Sequence, residues 1–211
     1  NLRLESLRSL NTLQRHFPHL SINKKDILDH VIEECNIYKN ILGVFYKQQQ
    51  LLPGNESAEV KEARIQLTSL LERRLDGTLE RIFRLLGLRY PPDDVISAYE
   101  GIKSINESVR LNSVEYLDNL LEPTLRRALM PIAENAFLDT ITKDMINNLK
   151  VKIPDEKSCL QMLLQGRDVK LKLAVFKLIE AIGSKDYLSL VKPFLKSPNE
   201  KVRKQALTIL Q

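Results

Sequence analysis

Apolar positions recur at helical spacing along almost the whole chain. Ile27, Leu28, Val31, Cys35, Tyr38, Leu42 and Phe45 lie on one stripe, which predicts a helix capped by Asn23 and running to about Leu52. Pro53-Gly54-Asn55 should end it, because proline lacks the amide donor and glycine readily takes the left-handed turn that closes helices. A second stripe, Val60, Ala63, Leu67, Leu70, Leu71, Leu75, Leu79, Ile82, Phe83 and Leu86, passes Gly77 without losing register. It predicts one helix of about 30 residues, roughly 45 Å long. The short link between the two stripes folds them into a long antiparallel helical hairpin. A shorter helix over 4–16, followed by Pro18 and a polar turn, precedes it.

Beyond Pro91 the pattern changes to short helices in pairs. First helices are expected to begin near Pro92, Glu122, Pro154 and Ser184, at intervals of 30, 32 and 30 residues. Second helices should begin near Asn106, Asn135, Asp168 and Asn199, at intervals of 29, 33 and 31. A two-helix unit recurring about every 31 residues is the sequence signature of an α-solenoid. The expected organisation is a hairpin region over 1–90 and about four helix pairs over 91–211, the last one truncated.

Three second helices share a finer pattern. Asn106, Asp168 and Asn199 each stand three residues before an aliphatic–basic pair, Val109-Arg110, Leu171-Lys172 and Val202-Arg203. Small or apolar residues follow at matched offsets: Ser113, Val114 and Leu117, then Val175, Phe176 and Ile179, then Ala206, Leu207 and Leu210. The instance near Asn135 is degenerate. Pro131 and Pro193 each fall nine residues after the start of a first helix, which predicts a bend repeated at one phase.

A proline-bent first helix, an Asn or Asp in the turn and an aliphatic–Arg pair opening the second helix together resemble the HEAT repeat. The resemblance covers about 91–211 and implies an all-α fold, a right-handed α-α superhelix. It also implies a structural ladder role for Asn106, Arg110, Asp168, Lys172, Asn199 and Arg203. The stretch LERIFRLLGLRYPPDD, followed by SVEYLDNLLEPTLRRALMPI, is similar to the soluble HEAT-bearing tail of bacterial ATP:ADP antiporter-like transporters. That second resemblance covers about 79–132. It implies an accessory or regulatory module at the cytoplasmic face of the inner membrane, partnered by a membrane domain or another protein. The family's transport residues lie in its membrane spans, so none is carried over.

Composition agrees with helices: seven Gly, no Trp and 6% aromatic residues argue against a sandwich or barrel. Uninterrupted apolar runs such as ILGVFY at 41–46 are far shorter than the roughly 18–20 apolar residues of a membrane span. The absence of an initiating Met and the uninterrupted apolar pattern up to Gln211 suggest a segment of a longer chain. Cys35 and Cys159 lie on apolar faces without CxxC spacing, so buried free thiols in a reducing compartment are expected rather than a metal site.

Charge is uneven. Residues 150–211 hold 13 Lys/Arg against 6 Asp/Glu, a net +7, while the whole chain carries +5. Lys170, Lys177, Lys201 and Lys204 therefore form a candidate basic surface for a partner, with nucleic acid as the alternative to protein. A glycosylase-like nucleic-acid enzyme would need aromatic groups to hold an exposed base, and this part of the chain is poor in them.

Candidate chemistry is sparse. Asp93-Asp94 sits where a first helical turn favours acids. His16, His19 and His30 lack ligand spacing, and Arg73, Arg74, Arg81, Arg84 and Arg89 read as a salt-bridged edge. Phosphate loops, nucleophile elbows and metal motifs are absent from the sequence. No residue is assigned a catalytic, cofactor-binding or metal-binding role, and the expectation is a non-catalytic interaction module. If its hairpin docks on a membrane domain, that hairpin should carry an exposed apolar strip.

Overall fold

Helix-forming stripes and side-chain caps account for the observed elements. The structure, a computed structural model, describes residues 2–17, 19, 22–136 and 141–211. Every regular element among them is helical: α1 (Leu2–His16), α2 (Lys24–Leu51), α3 (Ala58–Leu86), α4 (Pro92–Ile102), α5 (Glu107–Leu120) and α6 (Pro123–Ala133) come first. Then follow α7 (Lys143–Asn148), α8 (Glu156–Gln165), α9 (Val169–Ile182), α10 (Lys185–Leu188), a 3₁₀ turn (Lys192–Lys196) and α11 (Glu200–Leu210). The chain is thus all-α, with the long hairpin helices where their stripes place them and α3 unbroken through Gly77. Pro18 lies outside the described residues.

Contacts divide the chain into two compact units, Asn1–Asn40 with Leu75–Val151, and Ile41–Arg74 with Lys152–Gln211. Both long helices contribute to both units.

In the first unit, the α2 residues Ile27, Val31, Cys35 and Tyr38 are buried, as are Leu79, Ile82, Phe83 and Leu86 of α3. Phe83 meets Tyr99 of α4 with ring centroids 5.2 Å apart. Arg81 of α3 is also buried and donates from Nε and Nη2 to one carboxylate oxygen of Glu34 on α2, at 3.0 and 2.8 Å. Helix α1 is held by polar contacts as well as by Leu4: buried Asn11 donates to the Leu7 carbonyl and to the Arg84 carbonyl near the end of α3, at 2.9 and 2.7 Å. That second bond satisfies a carbonyl that a helix end would otherwise leave unpaired.

In the second unit, Leu42, Val44 and Phe45 of α2 and Leu67 and Leu71 of α3 are buried. So are Cys159, Leu160 and Leu164 of α8 and six residues of α9, from Leu171 to Ile179. Phe176 meets Phe194 edge to face at 5.5 Å. Helix α9 ends at Gly183, whose φ of 66° is the left-handed conformation that glycine adopts without penalty.

Both cysteines are buried and free. Burial pushes the Cys35 thiol up to about 12 and the Cys159 thiol up to about 11, so neither is a reactive thiolate near neutrality.

Two local expectations change. Asn135 does not cap a helix: it lies in the turn after α6 and donates to the Pro131 carbonyl at 2.8 Å, and the next described helix starts at Lys143 with Thr142 as its cap. Pro131 is inside α6, whereas Pro193 is not inside an α-helix. There the segment breaks into the four-residue α10 and the 3₁₀ turn. Proline is tolerated at the start of such a turn, where its missing N–H would have no partner.

Helices α4 and α5 approach most closely at Gly101, where an added Cβ would stand 2.9 Å from the Ser113 Cβ and closer still to its hydroxyl. Gly101→Ala should therefore cost about 1–3 kcal/mol, the usual range for overpacking. Urea denaturation of G101A, S113G and the double variant checks this. The double variant should lose less than the sum of the singles.

Candidate interaction surfaces

The three predicted caps are in place. Asn106 accepts from the amides of Ser108 and Val109, Asp168 from Lys170 and Leu171, and Asn199 from Val202. Two of the turns are chemically equivalent. The Asn106 and Asn199 amides donate to the hydroxyls of Ser104 and Ser197, at 3.2 and 3.3 Å. Arg110 and Arg203 each reach back six residues to the carbonyls of those same serines, at 2.8 and 2.9 Å. One motif, Ser-x-Asn-Glu-x-Val-Arg, thus builds the same hydrogen-bonded turn in each unit. Its serine was visible in the sequence and was the unused signal.

The Asp168 turn differs. Gly166 replaces the serine, Asp168 pairs with Arg74 of α3 at 3.1 Å, and Lys172 lies over the Phe194 ring at 4.9 Å. These bonds give the six residues structural work: caps, braces of the turn and, for Asp168 and Lys172, ties to other elements of the second unit.

Lys170 and Lys177 are exposed on α9, seven residues apart, and Lys201 and Lys204 are exposed on the neighbouring α11. Lys204 is ion-paired with Glu200 at 2.7 Å, and Glu180 stands between the helices, accepting from Gln205 at 3.4 Å. Acidic residues therefore interrupt this basic face.

Most other sequence candidates are consumed structurally. Asp93 pairs with Arg15 at 2.6 Å, and Arg74, Arg81, Arg84 and Arg89 all have carboxylate partners. Arg73 instead donates to the Ser69 carbonyl at 3.3 Å. His30 lies 3.4 Å from Glu33, and no group of three or more His, Cys, Asp or Glu able to hold a metal occurs among the described residues. Nor is any described helix long and apolar enough to cross a membrane.

Sequence reading missed a buried cluster in the second unit. Arg64 has no exposed surface. It donates from Nε and Nη2 to Glu56 at 2.9 and 2.5 Å, and from Nη1 to Glu156 at 2.7 Å and to buried Gln48. Tyr187 donates to the other Glu156 oxygen at 3.0 Å. Burial opposes the Arg64 charge, but the bonds to Glu56 and Glu156 and the two carboxylate charges raise its pKa above the ordinary guanidinium value. The available signal was position: Arg64 falls on the apolar stripe, between Val60 and Leu67.

Exposed apolar groups are also distributed differently from expectation. The hairpin helices α2 and α3 show only Ile65 as an exposed large hydrophobic side chain among the described residues, which counts against docking through a strip on the hairpin. Such groups gather instead on α1 (Leu2, Leu10, Leu13), at Phe17 just beyond it, and on or beside α5 (Ile105, Val109, Leu111, Tyr116). Between α4 and α5 lies a groove of about 300 Å³, with Asp94, Ala98, Val109, Ser113 and Tyr116 among its walls. Burial raises the Tyr116 pKa, helped by a hydrogen bond to Asp94 and by its charge.

No family model, curated protein or solved structure matches the chain.

Removing the Arg64 guanidinium would leave two carboxylates and Gln48 without their donor, so Arg64→Leu should destabilise by about 3–5 kcal/mol. Urea unfolding followed by circular dichroism measures it, and Arg64→Lys should recover little because an ammonium cannot bond Glu56 in a fork. The Tyr187 phenol is pushed up to about 12, first by burial and then by its bond to Glu156. Folding thus holds this proton more tightly than the unfolded chain, whose tyrosine titrates near about 10. The resulting stability is complete below about pH 10 and is lost as pH rises toward 12. Unfolding measured from pH 9 to 12 should fall less steeply in Tyr187→Phe.

Proposed function

We propose that the chain is a non-catalytic helical-repeat interaction module of HEAT type. In this reading it is the cytoplasmic part of a nucleotide-transporter-like membrane protein, where it regulates or recruits through its surface. The observation that supports the repeat reading most directly is the duplicated turn, Ser104–Asn106–Arg110 and Ser197–Asn199–Arg203, with its matching bonds. Equal turns opening two of the second helices are what a duplicated unit produces, since each unit must satisfy the same free amides and carbonyls. The polar clusters around Arg64 and Arg81 fit an interaction module in that they join helices to one another. The transporter assignment rests on the wording of residues 79–132 alone.

A nucleic-acid role is the second reading, favoured by the exposure of Lys170, Lys177, Lys201 and Lys204. Glu180 and Glu200 within the same face oppose it electrostatically.

Epitope tagging at the native locus, followed by membrane fractionation and protease treatment of inverted vesicles, tests the leading reading. The expected outcome is membrane association with the segment cleaved from the cytoplasmic side. Recovery wholly in the soluble fraction would remove the transporter assignment. Titration of duplex DNA at low salt should show no retention, and tight binding that weakens steeply with salt would favour the second reading.

A further inference from the structure

Helix α5 is unusually bare. Leu117 is its single buried residue, against six in α9, which opens with a cap of the same kind. Along one line of α5 and the turn before it stand Ile105, 90% exposed, then Val109 and Tyr116, 42% and 38% exposed. Seven residues apart on the helix, Val109 and Tyr116 share one face, and Ile105 stands just before the Asn106 cap. Next to them is the groove with Ala98 and Ser113 at the α4 side, where the close approach at Gly101 leaves no room for further side chains.

The charge around this line has one sign. Residues 92–120 contain six acidic groups, Asp93, Asp94, Glu100, Glu107, Glu115 and Asp118, against two basic ones, Lys103 and Arg110. Neither base faces outward unengaged. Arg110 donates to the Ser104 and Ile105 carbonyls, and Lys103 lies over the Tyr99 ring at 5.2 Å and 3.9 Å from Asp76. Asp93 and Asp118 are neutralised by Arg15 and Arg126. Asp94 accepts from Tyr116 and no ion pair is described for it or for Glu100, Glu107 and Glu115, so an apolar strip lies in a negative field.

We propose that the α4–α5 groove binds a basic amphipathic helix of a partner protein. The partner's apolar ridge packs on Ile105, Val109 and Tyr116, and its lysines or arginines face Asp94 and Glu115. A ridge with anchors three or four residues apart is the form in which helices dock into grooves, and the line from Val109 to Tyr116 accommodates about two turns. Acidic residues flanking the strip select against acidic helices and against nucleic acid, because like charges brought together at an interface repel. This assignment rests on the interaction-module reading and names the partner class for it. Failure of the groove with membrane association intact would leave the module reading standing.

A fluorescent 18-residue Leu/Lys peptide with leucines on one helical face is the probe, titrated by anisotropy against the whole chain. A Ser/Lys peptide of equal charge and a Leu/Glu peptide of equal apolarity are the controls. Saturable binding of Leu/Lys, with both controls weaker by about tenfold or more, is expected. Ile105→Ser with Val109→Ser, and separately Asp94→Lys with Glu115→Lys, should each weaken Leu/Lys binding by about tenfold. The side chains of Ile105, Val109 and Glu115 are exposed, so circular dichroism should show folding unchanged. Equal binding of Ser/Lys, indifference to either pair of substitutions, or no binding at all overturns the proposal. So does sedimentation showing that the chain self-associates through these residues, since the occupant would then be a second copy.

Discussion

A guanidinium with no exposed surface must find its acceptors within the protein, and that requirement organises the second unit around Arg64. Four of its five possible N–H bonds are made, to the hairpin turn through Glu56, to α2 through Gln48 and to α8 through Glu156. Tyr187 then extends the network to α10. Burying the ion is costly, and it is tolerated because its charge meets two carboxylates and its N–H groups are bonded. The network therefore specifies which elements meet more than it adds to the stability of their meeting. Arg81 plays the corresponding part in the first unit, held between Glu34 and Thr78 with its stem on the α3 stripe.

The two units spend their polar groups on different tasks beyond those ions. Ser104, Asn106 and Arg110 close a turn in one unit, and Ser197, Asn199 and Arg203 close it again in the other. The helices those turns open, α5 and α11, bury one and two residues, while α9, opened by the different Asp168 turn, is covered far more. Helix α9 has neighbours in α8, α10 and α11 and buries six residues, whereas α5 rests on α4 and α6 and buries one. The acidic setting is what sets α5 apart, since the equally opened α11 carries Lys201, Arg203 and Lys204 against Glu200 alone.

That difference bears on how function could arise in such a chain. The Asn or Asp cap is common to the three turns, so it says how the helices begin. What varies is the outer face: Ile105, Val109 and Tyr116 beside Asp94 in one copy, and Lys170 and Lys177 beside Glu180 in another. Surface chemistry that changes while the cap stays constant is where partner choice would reside.

Periodicity alone determined the two long helices of this protein and most of the short ones. The stripes from Ile27 to Phe45 and from Val60 to Leu86, the break at Pro53-Gly54 and the caps Asn106, Asp168 and Asn199 are local signals, because helix spacing and amide satisfaction involve residues a few positions apart. Arg64 was visible only as a misplaced charge on an apolar stripe. Its partner Glu156 lies 92 positions away, and no local rule connects them. The broken helix before Pro193 and the absence of an apolar strip on the hairpin were likewise decided by packing. Whether Val109 is buried or exposed depends on a neighbour that its own heptad does not encode. Tertiary structure decided which stripes were covered, and with them the face of α5 that remains open.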